Sequence, residues 1–387
     1  MAPPVEPSRV RKRSWKGDDV TLADVLEHLN RLHSELAHHD AGPGDHPHPR
    51  NITLNLVVVT GDDAGMAAAA DHIAETVASQ HPLRAIVIHD DLSGRDRIDA
   101  EVDSHAAVLI VGAPVQREQI LLNVSGEPGR HLPSLLEPLL APDVPTYLWW
   151  LGTPPLGEVP IEQALEMVDV LVVDSAGFET PFTALLDLAD LARTLPKEVG
   201  IADLAWERLR PWREALGQFF APTERHGFLD GLNGVGIDYA GEGRGNRIGA
   251  VLMAGWLEAT LHWKLRRAAS GQGGIVVAYL DSPRQHPVEM AFRSIRADAM
   301  PGELEAIRLE GASGGRTFAV TMQRDSEKRT LADVKIDIGG VDSVRQVISL
   351  PKSDSGLLLL RLMAQGRRDE VYLRALLVGG ELLSATR

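Results

Sequence analysis

The sequence predicts a chain in two parts. The first is an α/β N-terminal domain with a mostly parallel sheet and helices on both faces. A helical segment and an α+β C-terminal domain with a mainly antiparallel sheet follow. Three observations carry this. Up to about residue 195, short apolar runs alternate with helical segments, the pattern of parallel strands buried on both sides. The period is then helical to about residue 270. From about residue 274, short segments of two-residue alternation recur about ten residues apart, the signature of an antiparallel meander. The 387 residues suit two or three domains. The expected divisions are 1–50 for an arm, helix and linker, 51–200 for the α/β domain and 201–387 for the C-terminal domain. In the last, helices are expected over about 202–270 and strands over about 274–380.

The elements follow in order. Arg9, Arg11, Lys12, Arg13 and Lys16 form a basic stretch with no apolar run behind it. It therefore reads as a solvated tail, not an export signal, and the cytoplasm is the expected location. Val20, Leu22, Val25, Leu26, Leu29, Leu32 and Leu36 make one stripe at helical spacing over 18–38. A Pro/Gly-rich loop leads to a strand at Thr53–Thr60 and a helix from Met66 to about Gln80. Strands at Arg84–His89, Ala106–Gly112 and Ile120–Val124 follow, with a polar segment after the first. A helix over about Leu132–Leu140 then separates them from strands at Thr146–Leu151 and Val168–Asp174. FTALLDLADLART, DLAWERLRPWREALGQFF and about Arg247–Ala269 read as helices, with Pro211 marking a kink or a boundary. The final segments, SGLLLLRLMAQ and EVYLRALLVGG, continue the alternating series, with room for a helix among them.

Composition excludes several classes of function. Lys and Arg number 39 against 54 Asp and Glu, a net charge of −15, which disfavours nucleic-acid or anionic-membrane partners. No apolar run approaches the roughly 20 residues that span a bilayer. Cysteine is absent, so this chain holds no disulfide, thiolate ligand, Cys nucleophile or thiol switch.

Few motifs carry chemistry. His38, His39, Asp40, Asp45, His46 and His48 are metal-ligand types, but their spacing fits no defined site, and a solvated loop is the expectation. GDDAG follows the first strand, where doubly wound sheets bind ligands. Both GxGxxG and GxxxxGK[ST] are missing, and Asp62 and Asp63 stand where a phosphate would want N–H groups. Gly241, Gly243 and Gly245 flank Arg244 ahead of a helix. With no clear strand before it, this segment reads as a loop or hairpin, although Arg244, Asn246 and Arg247 remain candidates for holding an anion. No GxSxG or HExxH occurs, and Asp174–Ser175 with His81 or His89 makes no readable triad. No catalytic residue, metal or cofactor is therefore expected. Seven tryptophans fall largely in pairs: Trp149–Trp150, Trp206 with Trp212, and Trp256 with Trp263 at one-helix-face spacing. Core packing accounts for one of each pair, and Arg208, Arg210 and Arg213 interleave with the second pair.

TYLWWLGTPP at 146–155, VDVLVVDSAGF at 168–178 and DLAWERLRPWREALGQFF at 203–220 resemble the glucose-6-phosphate dehydrogenase assembly protein (OpcA) family. TLNLVVVT, HPLRAIVI and REQILLNVSG add to a resemblance over about residues 50–380. It implies a non-catalytic partner that supports assembly or allosteric activation of an NADP-using dehydrogenase feeding the oxidative pentose phosphate pathway. Trp and Arg dominate interface hot spots, so Trp149, Trp150, Trp206, Arg208, Arg210, Trp212 and Arg213 are the expected partner contacts. Replacing the arginines is expected to weaken the complex at unchanged melting temperature. The alternative reading is an enzyme or sensor that binds a sugar phosphate or nucleotide at the strand ends of the α/β domain.

Overall fold

A computed structural model of the chain describes residues 11–40, 51–61, 64–91, 94–107, 115–241, 246–271, 275–352 and 354–385. These divide into two compact units. One takes the residues within 1–173, 197–202 and 355–368, the other those within 174–196, 203–354 and 369–387.

The first sheet contains β1 (Arg11–Gly17), β2 (Leu54–Thr60), β3 (Leu83–Asp91), β4 (Arg97–Ala107), β5 (Val115–Ser125), β6 (Thr146–Trp150), β7 (Val170–Val173) and β8 (Gly200–Asp203). Their spatial order is β1-β4-β5-β3-β2-β6-β7-β8. The central strands are parallel: β5 on β3, β3 on β2, β2 on β6, β6 on β7. Every residue of β2 and of β7 is buried, as continuous apolar runs covered on both faces require. The fold class is the one the alternation predicts. Two details differ. The basic stretch from Arg11 is not a loose tail but an edge strand, antiparallel to β4, with Lys12 2.8 Å from Asp103. Trp15 anchors it by stacking on His28 at 3.9 Å. The polar segment after β3 also contains a strand, β4, which turns Ala100 and Val102 inward, alternating with Asp99 and Glu101. The strand expected at Ala106–Gly112 is seen only to Ala107, where β4 ends; 108–112 lie outside the described residues.

The second sheet contains β9 (Leu232–Ala240), β10 (Lys264–Ser270), β11 (Val276–Asp281), β12 (Pro287–Ile295), β13 (Leu304–Ser313), β14 (Arg316–Arg324), β15 (Leu331–Ile338) and β16 (Val341–Ser349). Their order is β10-β11-β12-β9-β13-β14-β15-β16, antiparallel throughout except for β12 on β9. Burial alternates along β11 and along β15 as far as Ile336, so one face meets the core and the other meets water. The expected helix over about Arg247–Ala269 stops at Leu261. His262 caps it with φ 55°, and the chain turns into β10, so Trp263 leaves the helix that holds Trp256. The last two segments are helices, Ser355–Met363 and Glu370–Ala385, where apolar residues too dense for alternation bury at helical spacing. Gly255 lets the Ile248–Leu261 and Glu370–Ala385 helices touch: a Cβ there would sit 2.1 Å from the Ala375 carbonyl oxygen.

Candidate functional site

The Trp/Arg segment forms two helices, Leu204–Arg208 and Arg210–Phe220. Pro211 has no N–H to give, so the boundary falls just before it. Asp203 caps the first helix by accepting from the Ala205 N–H at 2.9 Å. This carboxylate also accepts from the Ser175 N–H at 3.1 Å, the Ser175 hydroxyl at 2.6 Å and the Tyr372 hydroxyl at 3.0 Å. Asp203 is 1% exposed. Burial pushes its carboxyl from 3.8 up to about 6, against the pull of these donors.

The tryptophans of this segment are interior. Trp206 and Trp212 are each 1% exposed. Trp206 Nε1 donates to Asp369 at 2.9 Å, and its ring lies 5.7 Å from that of Tyr372. The arginines are half-buried and held within the second unit. Arg208 grips Asp174 with two bonds of 2.6 and 2.7 Å. Arg210 binds the buried Glu207 through Nε at 2.9 Å and Nη2 at 2.7 Å. The Arg213 guanidinium lies 3.4 Å above the Trp206 ring and reaches the Trp206 carbonyl at 3.3 Å. Burial lowers its pKa to about 10. Arginine beside tryptophan thus serves here to satisfy the buried Glu207 and the half-buried Asp174 and to cover a buried ring.

The other expected residues are dispersed. Trp149 is 1% exposed in β6 and Trp150 is half-buried at the strand end. Arg244 lies outside the described residues. Asn246 gives its amide N–H to the Ala176 carbonyl at 2.7 Å and accepts from the Ile248 N–H at 3.0 Å; Arg247 is buried. The strand reasoned missing before this loop exists: it is β9, hidden in the sequence by Gly234 and Gly236. Asp62, Asp63, Asp45, His46 and His48 lie outside the described residues, as do the side chains of His38, His39 and Asp40. Among the described residues no three His, Asp or Glu side chains cluster as a metal site. Ser175 is fully buried on Asp203, and His89 pairs with the Thr60 hydroxyl at 2.7 Å, so neither belongs to a triad.

Sequence reasoning missed the Asp203, Ser175 and Tyr372 cluster, whose members are 28 and 169 residues apart. It also missed Glu258, 5% exposed, whose carboxyl burial pushes up to about 7. The one local signal was the aspartate before a helix, a capping position.

Residues 74–190 match a family described as the glucose-6-phosphate dehydrogenase subunit N-terminal domain, of OpcA assembly type. Residues 199–376 match the corresponding C-terminal domain. Among curated proteins, the chain is 26% identical over 318 residues to a Synechocystis protein provisionally named OxPP cycle protein OpcA, and 26% over 316 residues to its Synechococcus elongatus namesake. These alignments cover 78% and 79% of this chain but only 63% and 69% of the relatives' lengths. In fold, a glucose-6-phosphate 1-dehydrogenase from Mycobacterium avium is similar with a TM-score of 0.51 at 10% identity, covering 87% of this chain and 91% of that one. An oxidoreductase from Sinorhizobium meliloti is similar with a TM-score of 0.50, also at 10% identity, covering 86% and 96%. At such identity the likeness is one of fold alone.

Proposed function

Because the chain belongs to the OpcA family of glucose-6-phosphate dehydrogenase assembly proteins, we propose that it binds glucose-6-phosphate dehydrogenase and favours its active oligomer without doing chemistry itself. In this reading it acts in the oxidative pentose phosphate pathway of the cytoplasm.

One observation in particular supports the non-catalytic part. The two carboxyls raised furthest among the described residues, Asp203 and Glu258, are the groups best tuned for proton transfer; the half-buried Asp90 is raised less. Asp203 and Glu258 are both shut away, at 1% and 5% exposure, and Asp203 is occupied by donors of its own fold. In this reading they belong to the scaffold and meet no substrate.

The mechanism is linkage. A partner that binds the active form of an enzyme more tightly raises the population of that form. A 100-fold preference corresponds to about 2.7 kcal/mol of coupling. The net charge of −15 speeds encounter with basic patches more than it tightens the complex. Within the Trp/Arg segment, the part-exposed Arg208, Arg210 and Arg213 offer edges to a partner, while the buried Trp206 ring supports Arg213 from below.

The test mixes the purified chain with its dehydrogenase and follows co-elution and substrate saturation. The two co-elute and the saturation curve shifts, while the chain alone reduces no NADP with glucose 6-phosphate. Turnover by a preparation free of dehydrogenase sinks the reading.

A further inference from the structure

Among the described residues one face of the second sheet is left uncovered, and its charges are ordered. One row runs across the strands through Glu289 on β12, Gly234 on β9, Glu310 on β13, Ala319 on β14 and Asp337 on β15. The next row holds Ala291, Gly236, Arg308, Thr321, Lys335 and, on β16, Arg345. From β12 onward the first row carries only acids and the second only bases; on β11 and β10 the first row continues as Tyr279 and Arg267, whose guanidinium lies over the Tyr279 ring. Glu289, Glu310, Lys335 and Arg345 are exposed and make no ion pair with another described residue. Val347, 61% exposed, lies on the same face at the β16 edge.

We propose that this face docks on the same face of a second copy of the chain. Charge self-complementarity argues for that occupant. A two-fold axis lying between the sheets and running across the strands, between the two rows, turns each acidic row onto the other copy's basic row. Strand positions are preserved, so Glu310 meets Arg308 of the second copy and Asp337 meets its Lys335. A symmetric interface needs such a self-complementary patch. The centre suits close approach, because Gly234, Gly236, Ala291 and Ala319 put little bulk between sheets that pack about 10 Å apart. Eight strands make a face roughly 34 Å wide, enough for the roughly 800 Å² per partner of a standard interface. Arg308 is pre-set by its 2.8 Å bond to Asp238, which Arg293 also holds at 2.7 Å.

The test is charge reversal on β15, read by sedimentation of the full chain at tens of micromolar. Wild type sediments as a dimer. Lys335→Asp and Asp337→Lys each place like charges opposite one another twice, and each raises the dimer dissociation constant by about 30-fold or more. Mixing these two variants restores a dimer, because Lys then meets Asp at both places. Their melting temperatures, measured alongside, confirm that each is folded. A monomeric wild type, variants that stay dimeric alone, or a mixture that fails to reassociate overturns the proposal. So does loss of dehydrogenase co-elution with no change in self-association, which assigns the face to the dehydrogenase instead.

Discussion

Tyr372 donates its hydroxyl to Asp203 at 3.0 Å across 169 residues of sequence. The same carboxylate starts the helix that carries Trp206, and Trp206 donates in turn to Asp369. Each of the three segments of the second unit opens on an aspartate: Asp174, Asp203 and Asp369. Asp174 holds Arg208, Asp203 holds Ser175 and Tyr372, and Asp369 holds Trp206 and the N–H groups of Val371 and Tyr372. Every segment is therefore pinned by a carboxylate where it enters.

Asp203 makes stability depend on pH. Its carboxyl keeps a proton up to about 6 in the fold, against 3.8 when unperturbed. Between these values the folded state holds the extra proton, so this group's contribution is complete below about 4 and is lost as pH rises through 6. The loss is on the order of 3 kcal/mol. Asp203→Asn does not titrate, so relative to wild type it gains by that amount between pH 4 and pH 8 in denaturant unfolding. An identical difference at both pH values refutes the shift.

Glu258 behaves similarly in a higher window. Its carboxyl rises to about 7 through burial, with Glu381 adding repulsion. Glu258→Gln therefore raises the melting temperature at pH 8 and does little at pH 5. A variant less stable than wild type at pH 8 contradicts this.

Arg208 supports the fold. Its two bonds to Asp174 are charge-assisted and only partly exposed, so Arg208→Ala costs about 2 kcal/mol. Lysine cannot reproduce the paired geometry, and Arg208→Lys recovers less than half of the loss. The constant melting temperature expected from sequence does not fit this geometry. A wild-type melting temperature for Arg208→Ala would show the pair to be energetically idle.

Gly255 is fixed by contact. The Cβ of Gly255→Ala meets the Ala375 carbonyl oxygen at 2.1 Å and the Gly379 nitrogen at 2.7 Å. Forcing the helices apart costs about 2–3 kcal/mol, read as a lower urea midpoint. Gly217→Ala, exposed inside the Arg210–Phe220 helix with nothing within 4 Å, is the clash-free control and gains about 0.5–1 kcal/mol from helix propensity.

The parallel sheet was legible because its strands are continuous apolar runs such as LNLVVVT, and the meander because one wet face keeps the period at two. β4 was harder to see, since its outward positions are acidic and mimic a loop. β9 was concealed by the glycines that shape the open face. The terminal helices looked like strands because LLLL satisfies either period until length decides. The Trp/Arg segment was recognisable, but whether its rings face in or out was not. Asp174, Asp203 and Asp369 are ordinary aspartates until folding brings Arg208, Tyr372 and Trp206 to them.

The most direct measurement titrates purified, dehydrogenase-free chain into its cognate glucose-6-phosphate dehydrogenase, recording oligomer mass by light scattering and initial rate in the same samples. The account predicts a mixed complex of defined mass and a rate that rises and saturates in step with its formation, with no rate from the chain alone. A dehydrogenase unchanged in mass and rate at every ratio contradicts it.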